Sequence, residues 1–533
     1  MTTTAELRRR WPAVRREPAV LTVAMLASYT VDPIVPYLGV GLHDVGLTAA
    51  PTVGPFNQIV QQCLDDDGEV ARLAPDVLVV APRFEELWSR APLAGSPDPE
   101  TYARDLLFLA DTALGAAERW RSCLVFVLPA VPETRPYGVA DHGSPHGAEA
   151  VAATVRQALR RRLSGHPNVY LADCEAAVRT VGSRHAHHPA LFRFAKVPYT
   201  DDVFAELAGQ ITRLLRLRYA PPRSGIVIDA DSLLAGTEAG SESLQPVLTE
   251  LRRTGARVAL RGTVDRGELW AAVRSALSDD WMELVDDVVL DERPVEEQLR
   301  DVASVLGLAA EQMVVLTAAE PLARQLASRA LRLADSTDLW PAQVAAAGLY
   351  DSLPPAVDNQ DGGMEIAAAQ PSRSLSVEEY IAGLDVRVQW RAADQEAVPE
   401  VLEMLLRTKD FALGGTHTEQ ALGEAIADRS TEILLADVRD RLGDYGLGAA
   451  VRLRYDGREC VVDLLLVSCP VLGKGVEDEV MSRILRLAAD HGCQRVTFRY
   501  MDTGRNGLVL SYLREKISAD PASGITVRME RHV

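Results

Sequence analysis

A chain of 533 residues, 47% hydrophobic and 25% charged, is long enough for about three domains that each bury a core of their own. Its net charge of -19 argues against nucleic acid or an anionic membrane surface as the main partner. No apolar run approaches the ~20 residues that span a bilayer, and the Arg-rich stretch Met1 to Arg16 lacks a following apolar region and cleavage site, so the expected location is the cytoplasm.

In the first block, apolar runs of strand length (Val23 to Ala27, Val77 to Ala81, Leu124 to Leu128, Val169 to Ala172) alternate with amphipathic stretches such as Ala148 to Arg162 and Asp202 to Arg216. That alternation predicts a parallel sheet covered on both faces. The block closes at the turn-rich Tyr219-Ala220-Pro221-Pro222-Arg223. A second α/β block opens at Gly225, with strands expected at Val258 to Leu260, Val288 to Leu290 and Met313 to Leu316. Its helices are expected near Leu244 to Arg253, Arg266 to Leu277 and Val295 to Leu306. Leu353 to Ser374 has no periodicity and reads as a linker. The last block mixes its elements differently. A strand at Val386 to Trp390 precedes helices at Pro399 to Thr408 and Thr418 to Ala427, then strands through Ile433 to Leu435, Gly448 to Arg454 and Cys460 to Val467. The turn Leu472-Gly473-Lys474-Gly475 opens a helix at Val476 to Asp490. The division is therefore 1–222, 223–352, a linker at 353–374, and 375–533.

The second block begins with a hydrophobic strand ending in Asp229-Ala230-Asp231. Two carboxylates at the C-terminal edge of a parallel sheet can hold Mg²⁺ and attack a phosphoryl group, although Asp-x-Asp is equally a loop start or helix cap. In the last block, the strand–turn–helix around Ser468-Cys469-Pro470-Val471-Leu472-Gly473-Lys474-Gly475-Val476 presents free backbone N–H groups to an anion. In the first block, the strand ending in Ser28 and the segment Gly54-Pro55-Phe56-Asn57 supply a candidate nucleophile and candidate oxyanion donors. Six cysteines are scattered without a C-x-x-C pair. Only four lysines occur, and Lys196, Lys409 and Lys474 fall near these motifs.

With these motifs in this order, the chain resembles the FkbH-like family, which loads a glyceryl unit onto an acyl carrier protein. The resemblance implies an SGNH/flavodoxin-like domain, a haloacid-dehalogenase-like (HAD) Rossmannoid domain and a C-terminal GCN5-related acetyltransferase-like (GNAT) α+β domain. The HAD pattern D-L-D-N-T-L appears as Asp229-Ala230-Asp231-Ser232-Leu233-Leu234, but its later motifs do not match. Arg261-Gly262-Thr263 stands at the Ser/Thr position, Arg293-Pro294-Val295 at the lysine position, and Thr317-Ala318-Ala319 at the acidic pair. Losing the lysine and the metal ligands predicts no phosphatase activity and no functional Mg²⁺, with Asp229 and Asp231 a remnant.

The GNAT-like resemblance implies a phosphopantetheine arm or coenzyme A held by Gly473, Lys474, Gly475 and Val476, with Asn506 in the late Asn motif; Pro470 departs from the Arg/Gln that leads the family's pattern. Where the family reads T-N-Q-F-N, this chain has Thr408-Lys409-Asp410-Phe411-Ala412. Candidate catalytic residues are Ser28, Asn57, Cys469 as an acyl carrier and His417 as a general base. An SGNH-type site also needs a late His; its position falls at Lys196-Val197-Pro198-Tyr199, with His185, His187 and His188 upstream. The expected function is an acyltransferase step on an acyl or aminoacyl thioester of an acyl or peptidyl carrier protein in polyketide or nonribosomal peptide biosynthesis. The alternatives are an inactive carrier-protein-docking scaffold and an acyl hydrolase using Ser28.

Overall fold

Runs of Val, Leu, Ile and Ala without polar alternation can be buried on both faces only in a parallel sheet sandwiched by helices. The computed structural model describes residues 3–87, 99–133, 135–220, 223–235, 238–263, 271, 283–326, 329–349, 351, 376–518 and 526–532. Its first module is such a sheet: β1 (Val23–Ala27), β2 (Thr52–Val53), β3 (Val77–Ala81), β4 (Cys123–Leu128) and β5 (Val169–Asp173), all parallel, in the order β2-β1-β3-β4-β5. Helices Val35–Asp44 and Asp201–Tyr219 pack on one face, and Pro99–Trp120 and Ala148–Leu163 on the other. The chain leaves β1 for β2 on one side and returns to β3 on the other, so a crevice opens beyond the C-terminal end of β1. Ser28 sits there.

The middle module repeats the parallel logic with β6 (Gly225–Asp229), β7 (Arg257–Gly262), β8 (Asp287–Leu290), β9 (Met313–Thr317) and β10 (Ala330–Arg332) in the order β10-β9-β6-β7-β8. Asp229 therefore ends the central strand, in register with Arg261 on β7, and β9 runs along its other side. Helix Val295–Leu306 starts and stops where its apolar period does, closing on Gly307 at φ 66°.

The third module is a mixed sheet of β11 (Arg387–Ala392), β12 (Thr431–Asp440), β13 (Gly443–Asp456), β14 (Glu459–Val467), β15 (Arg495–Met501) and β16 (Thr526–His532). Strands β11 to β14 are antiparallel, and β14, β15 and β16 are parallel. β14 and β15 pair only from Glu459 to Val462 and then part. The gap is filled by the chain itself. Leu413 N donates to Leu465 O (3.2 Å), Val467 N to Phe411 O (3.1 Å) and Met501 N to Leu413 O (2.8 Å), so Phe411–Leu413 bonds to both strands.

The predicted strands with strong apolar runs lie within one to three residues of their expected positions, apart from β12 and β13, which extend well past theirs. The short β2 and β10 carry too little apolar pattern to be read from sequence; β15 and β16 went unread although Val496, Phe498 and Tyr500, and Val527 and Met529, alternate with polar residues. The helix expected at Arg266 to Leu277 and the linker at 353–374 lie outside the described residues.

The first module carries the other two. Toward the middle module, Arg213 pairs with Asp351, and Arg216 Nη2 donates to Gly348 O (3.0 Å). Toward the third, Arg441 meets Asp105 (2.8 Å), Arg193 meets Glu403 (3.1 Å), and the ring of Tyr380 stacks on Phe108 at 5.9 Å and 13°. Exposed ion pairs of this kind contribute little, so the aromatic stack is the anchor. Tyr380→Ala should cost about 2–4 kcal/mol. Chemical denaturation and faster amide exchange in Ile59–Leu64 and Val377–Gly383 would register it; unchanged exchange in both helices would assign the anchor elsewhere.

A candidate active site between the first and third modules

Side chains of consecutive strand residues point to opposite faces, and the end of β1 uses both. Ala27 and Tyr29 line a cleft of about 700 Å³ between the first and third modules, whereas Ser28 faces a separate cavity of about 40 Å³. The two nucleophile candidates are thereby divided. Ser28 shares the small cavity with Asn57, Arg83, Tyr380, Leu442 and Lys474. Cys469 lines the large one.

Ser28 is 5% exposed, and its Oγ accepts the Arg83 N–H at 2.9 Å. A volume of that size is about one water. Asn57 reaches it from a left-handed backbone (φ 54°) fixed by its N–H donating to Ala27 O at 3.0 Å. The expected oxyanion donor Gly54 N–H is spent on Met25 O (2.8 Å), extending the β1 ladder. His187 stands beside Glu133 (3.4 Å), and burial holds its imidazole below the ordinary value. His188 caps helix Pro189–Ala195, its Nδ1 accepting from Leu191 N.

The Gly-x-Gly turn has the shape read from sequence, with Gly473 at φ 71° and Gly475 at φ 80° opening helix Val476–Asp490. Its occupants differ from that expectation. Gly473 N–H donates to Glu477 Oε1 at 3.0 Å, so the helix's own carboxylate takes the place of an external anion. A Cβ on Gly473 would lie 2.7 Å from the Gln58 amide, because the turn is pressed against the first module. Lys474 is 4% exposed, with its Nζ donating to Asp440 Oδ2 (2.8 Å) and to Tyr445 Oη. Burial pulls its ammonium below the ordinary lysine value while Asp440 pushes back. Val476 is fully buried. Asn506 is also fully buried: its Nδ2 donates to Ala412 O and Met501 O, both at 2.9 Å, holding the inserted segment in place. Gly473, Lys474 and Asn506 thus spend their polar groups on the protein itself, whereas a Cβ on Gly475 would meet open space. The parted strands hold Phe411–Leu413.

The large cleft gathers what the turn does not. Arg193, Lys196, Arg407, Lys409 and Arg505 line it against two carboxylates, Asp32 and Asp410, a cationic patch on a chain of net charge -19. Cys469 is half-buried in its wall, and its Sγ lies 3.9 Å from Asp410 Oδ2. Burial first, then the Asp410 charge, pushes this thiol up to about 11, with Lys196 pulling the other way. It is therefore a protonated thiol at neutral pH, with a carboxylate acceptor beside it. His417 is not among the residues that line the cleft. It packs near the Arg452–Asp463 pair (2.6 Å), where burial lowers its imidazole. Asp410, not His417, stands beside the thiol. Lys196, Lys409 and Asp410 went unassigned from sequence, although the scarcity of lysine was a usable signal.

In the middle module, Asp229 is 1% exposed and ion-paired to Arg261 at 2.8 Å. Asp231 Oδ2 accepts from Thr263 Oγ1 (2.6 Å) and Thr263 N (3.2 Å). Among the described residues, no group of three or more His, Cys, Asp or Glu side chains is placed to hold a metal ion.

Neither a protein-family model nor a curated protein matches the sequence. Among solved structures, the N-terminal part of BF1531 from Bacteroides fragilis, which contains a phosphatase domain and was solved with Mg, is similar at a TM-score of 0.54 and 12% identity. The match covers 66% of this chain and 99% of that one. At this identity the likeness is one of fold: a multi-domain α/β chain built on parallel sheets. A GCN5-related glucosamine N-acetyltransferase region of a fungal multi-domain GH3 β-N-acetylglucosaminidase aligns over 93% of this chain and 62% of that one at 12% identity. Its TM-score of 0.17 carries no argument.

Five of the six cysteines are buried and Cys469 is not. Iodoacetamide should therefore modify one thiol per folded chain, at a rate that keeps rising with pH toward about 11. Asp410→Asn removes a charge that opposes the thiolate and should speed alkylation at pH 8. Peptide mapping that finds Cys63 or Cys493 modified first, or a rate that levels off near pH 8, would contradict this geometry.

Proposed function

We propose that the chain is an acyltransferase-type enzyme that receives an acyl or aminoacyl thioester, carried on the phosphopantetheine arm of a carrier protein or on coenzyme A, in the cleft between its first and third modules. The observation that carries the reading is the half-buried Cys469 thiol, 3.9 Å from Asp410, in a cleft lined by five cations and two carboxylates. A phosphate-bearing arm is anionic, and a cationic cleft of about 700 Å³ suits it in charge and size.

In the transfer, the Cys469 S–H gives its proton to Asp410 as sulfur attacks the acyl carbonyl. The carbon–sulfur bond to the pantetheine breaks, and the departing thiolate recovers the proton from Asp410. The acyl group then rests on Cys469 until an acceptor takes it by the reverse sequence. Lys196, Lys409 and Arg505 supply the charge that orients the phosphate. The middle module takes no part in the chemistry. A setting in polyketide or nonribosomal peptide assembly belongs to the same reading.

A second reading, a carrier-protein-docking scaffold, is favoured by the thiol's elevation to about 11, since little thiolate exists at neutral pH. A hydrolase using Ser28 is disfavoured by the 40 Å³ cavity, which holds no acyl chain while the third module covers it.

Intact-mass spectrometry after incubation with acyl-loaded carrier proteins should show the acyl mass on this chain. It should vanish in Cys469→Ala and persist in Ser28→Ala. Lys409→Glu should weaken transfer by about tenfold, the worth of one charged contact. An acyl adduct that survives Cys469→Ala would rule out the relay, and binding without any mass change would select the scaffold.

A further inference from the structure

The register that pairs Asp229 with Arg261 on adjacent parallel strands puts both side chains on the same face of the sheet. Each is 1% exposed. Arg261 Nη1 donates to Asp229 Oδ1 at 2.8 Å, while Ser232 Oγ (2.6 Å) and Thr317 Oγ1 (2.8 Å) donate to Oδ2. The guanidinium is held in turn by Gln298: Arg261 Nε donates to Gln298 Oε1 (3.0 Å), and Gln298 Nε2 donates to Gly262 O and Asp291 O, both at 2.8 Å. Gln298 is fully buried. Both Asp229 oxygens are satisfied within the fold, while Arg261 Nη2 is buried without a hydrogen-bond partner.

We infer that Arg261 supplies, from within the fold, the positive charge that a divalent cation would supply to an Asp-x-Asp sheet edge, which makes the middle module a metal-independent folding unit. A divalent cation does not fit beside it. Mg²⁺ needs about six oxygen ligands in near-octahedral array, yet one Asp229 oxygen already holds a guanidinium and the other two hydroxyls. Thr317-Ala318-Ala319 brings no carboxylate. The same contacts leave neither Asp229 oxygen free to attack phosphorus. The reading from sequence counted Arg261 as a lost hydroxyl; in the structure it is also a gained cation.

This inference is independent of the chemistry at Cys469, and thermal unfolding of the full chain tests it. The wild-type Tm should be the same in EDTA and in millimolar Mg²⁺. Arg261→Ala strands a buried carboxylate and should lower the transition by about 10 °C. Most of that loss should return when the charge is removed as well, in Arg261→Leu/Asp229→Asn. Arg261→Lys keeps a cation and guards against a variant that fails to fold; its Tm should stay within a few degrees of wild type and indifferent to Mg²⁺. A wild-type Tm that climbs with Mg²⁺ would overturn the inference. So would a double variant no more stable than Arg261→Ala, or an Arg261→Lys chain that needs Mg²⁺ to reach the wild-type Tm.

Discussion

The contact between the third module and the C-terminal edge of the first sheet is the constraint from which the candidate site follows. A five-stranded parallel sheet with a switch point beside β1 leaves a crevice at that edge whatever its side chains. Here the crevice is roofed. The turn at Gly473 comes close enough to Gln58 that a Cβ would collide with its amide, and Lys474 is carried into the cavity that holds Ser28. With the roof in place, the hydroxyl has the space of a water and the neighbouring thiol has a cleft of about 700 Å³.

Charge inside this protein is managed by pairing side chains with each other. Arg261 with Asp229 and Lys474 with Asp440 are both nearly inaccessible pairs. Such pairs add little net stability but are costly to break, because either partner left alone is a buried charge. Each marks a place where a sequence motif suggested an external ion, a metal at Asp-x-Asp and an anion at Gly-x-Gly. In each the structure supplies an internal counterpart: a guanidinium for the metal, and Glu477 for the anion at the turn's N–H.

This explains how far the sequence could be read. Periodicity is a local property, so the apolar strands β1, β3, β4, β6 and β9, the helix Val295–Leu306 and the separate α/β blocks were legible. Ser28 and Asn57 do meet: Ser28 follows the readable β1, and Asn57 is tied to the same strand end by its N–H bond to Ala27 O. What could not be read depends on contacts distant in sequence. Arg261 and Asp229 are 32 residues apart, and Cys469 and Asp410 are 59 apart. Motif spacing also records where a ligand could bind and is silent on what else fills the space. For that reason Gly473 and Asn506 were assigned to a cofactor, whereas Gly473 meets Gln58 and Glu477 and Asn506 bonds to Ala412.

The inserted segment Phe411–Leu413 has a consequence for the cleft as well as for the sheet. Asp410 precedes it directly, so the backbone that joins β14 to β15 also sets how far a carboxylate stands from Cys469. Asn506, fully buried and bonded to Ala412 O, holds that spacing from a loop that carries Arg505 at the cleft's rim. Seam and site are one mechanical unit: a shift of this strand by a single residue would change the sheet, the acid beside the thiol and the cation at the entrance together.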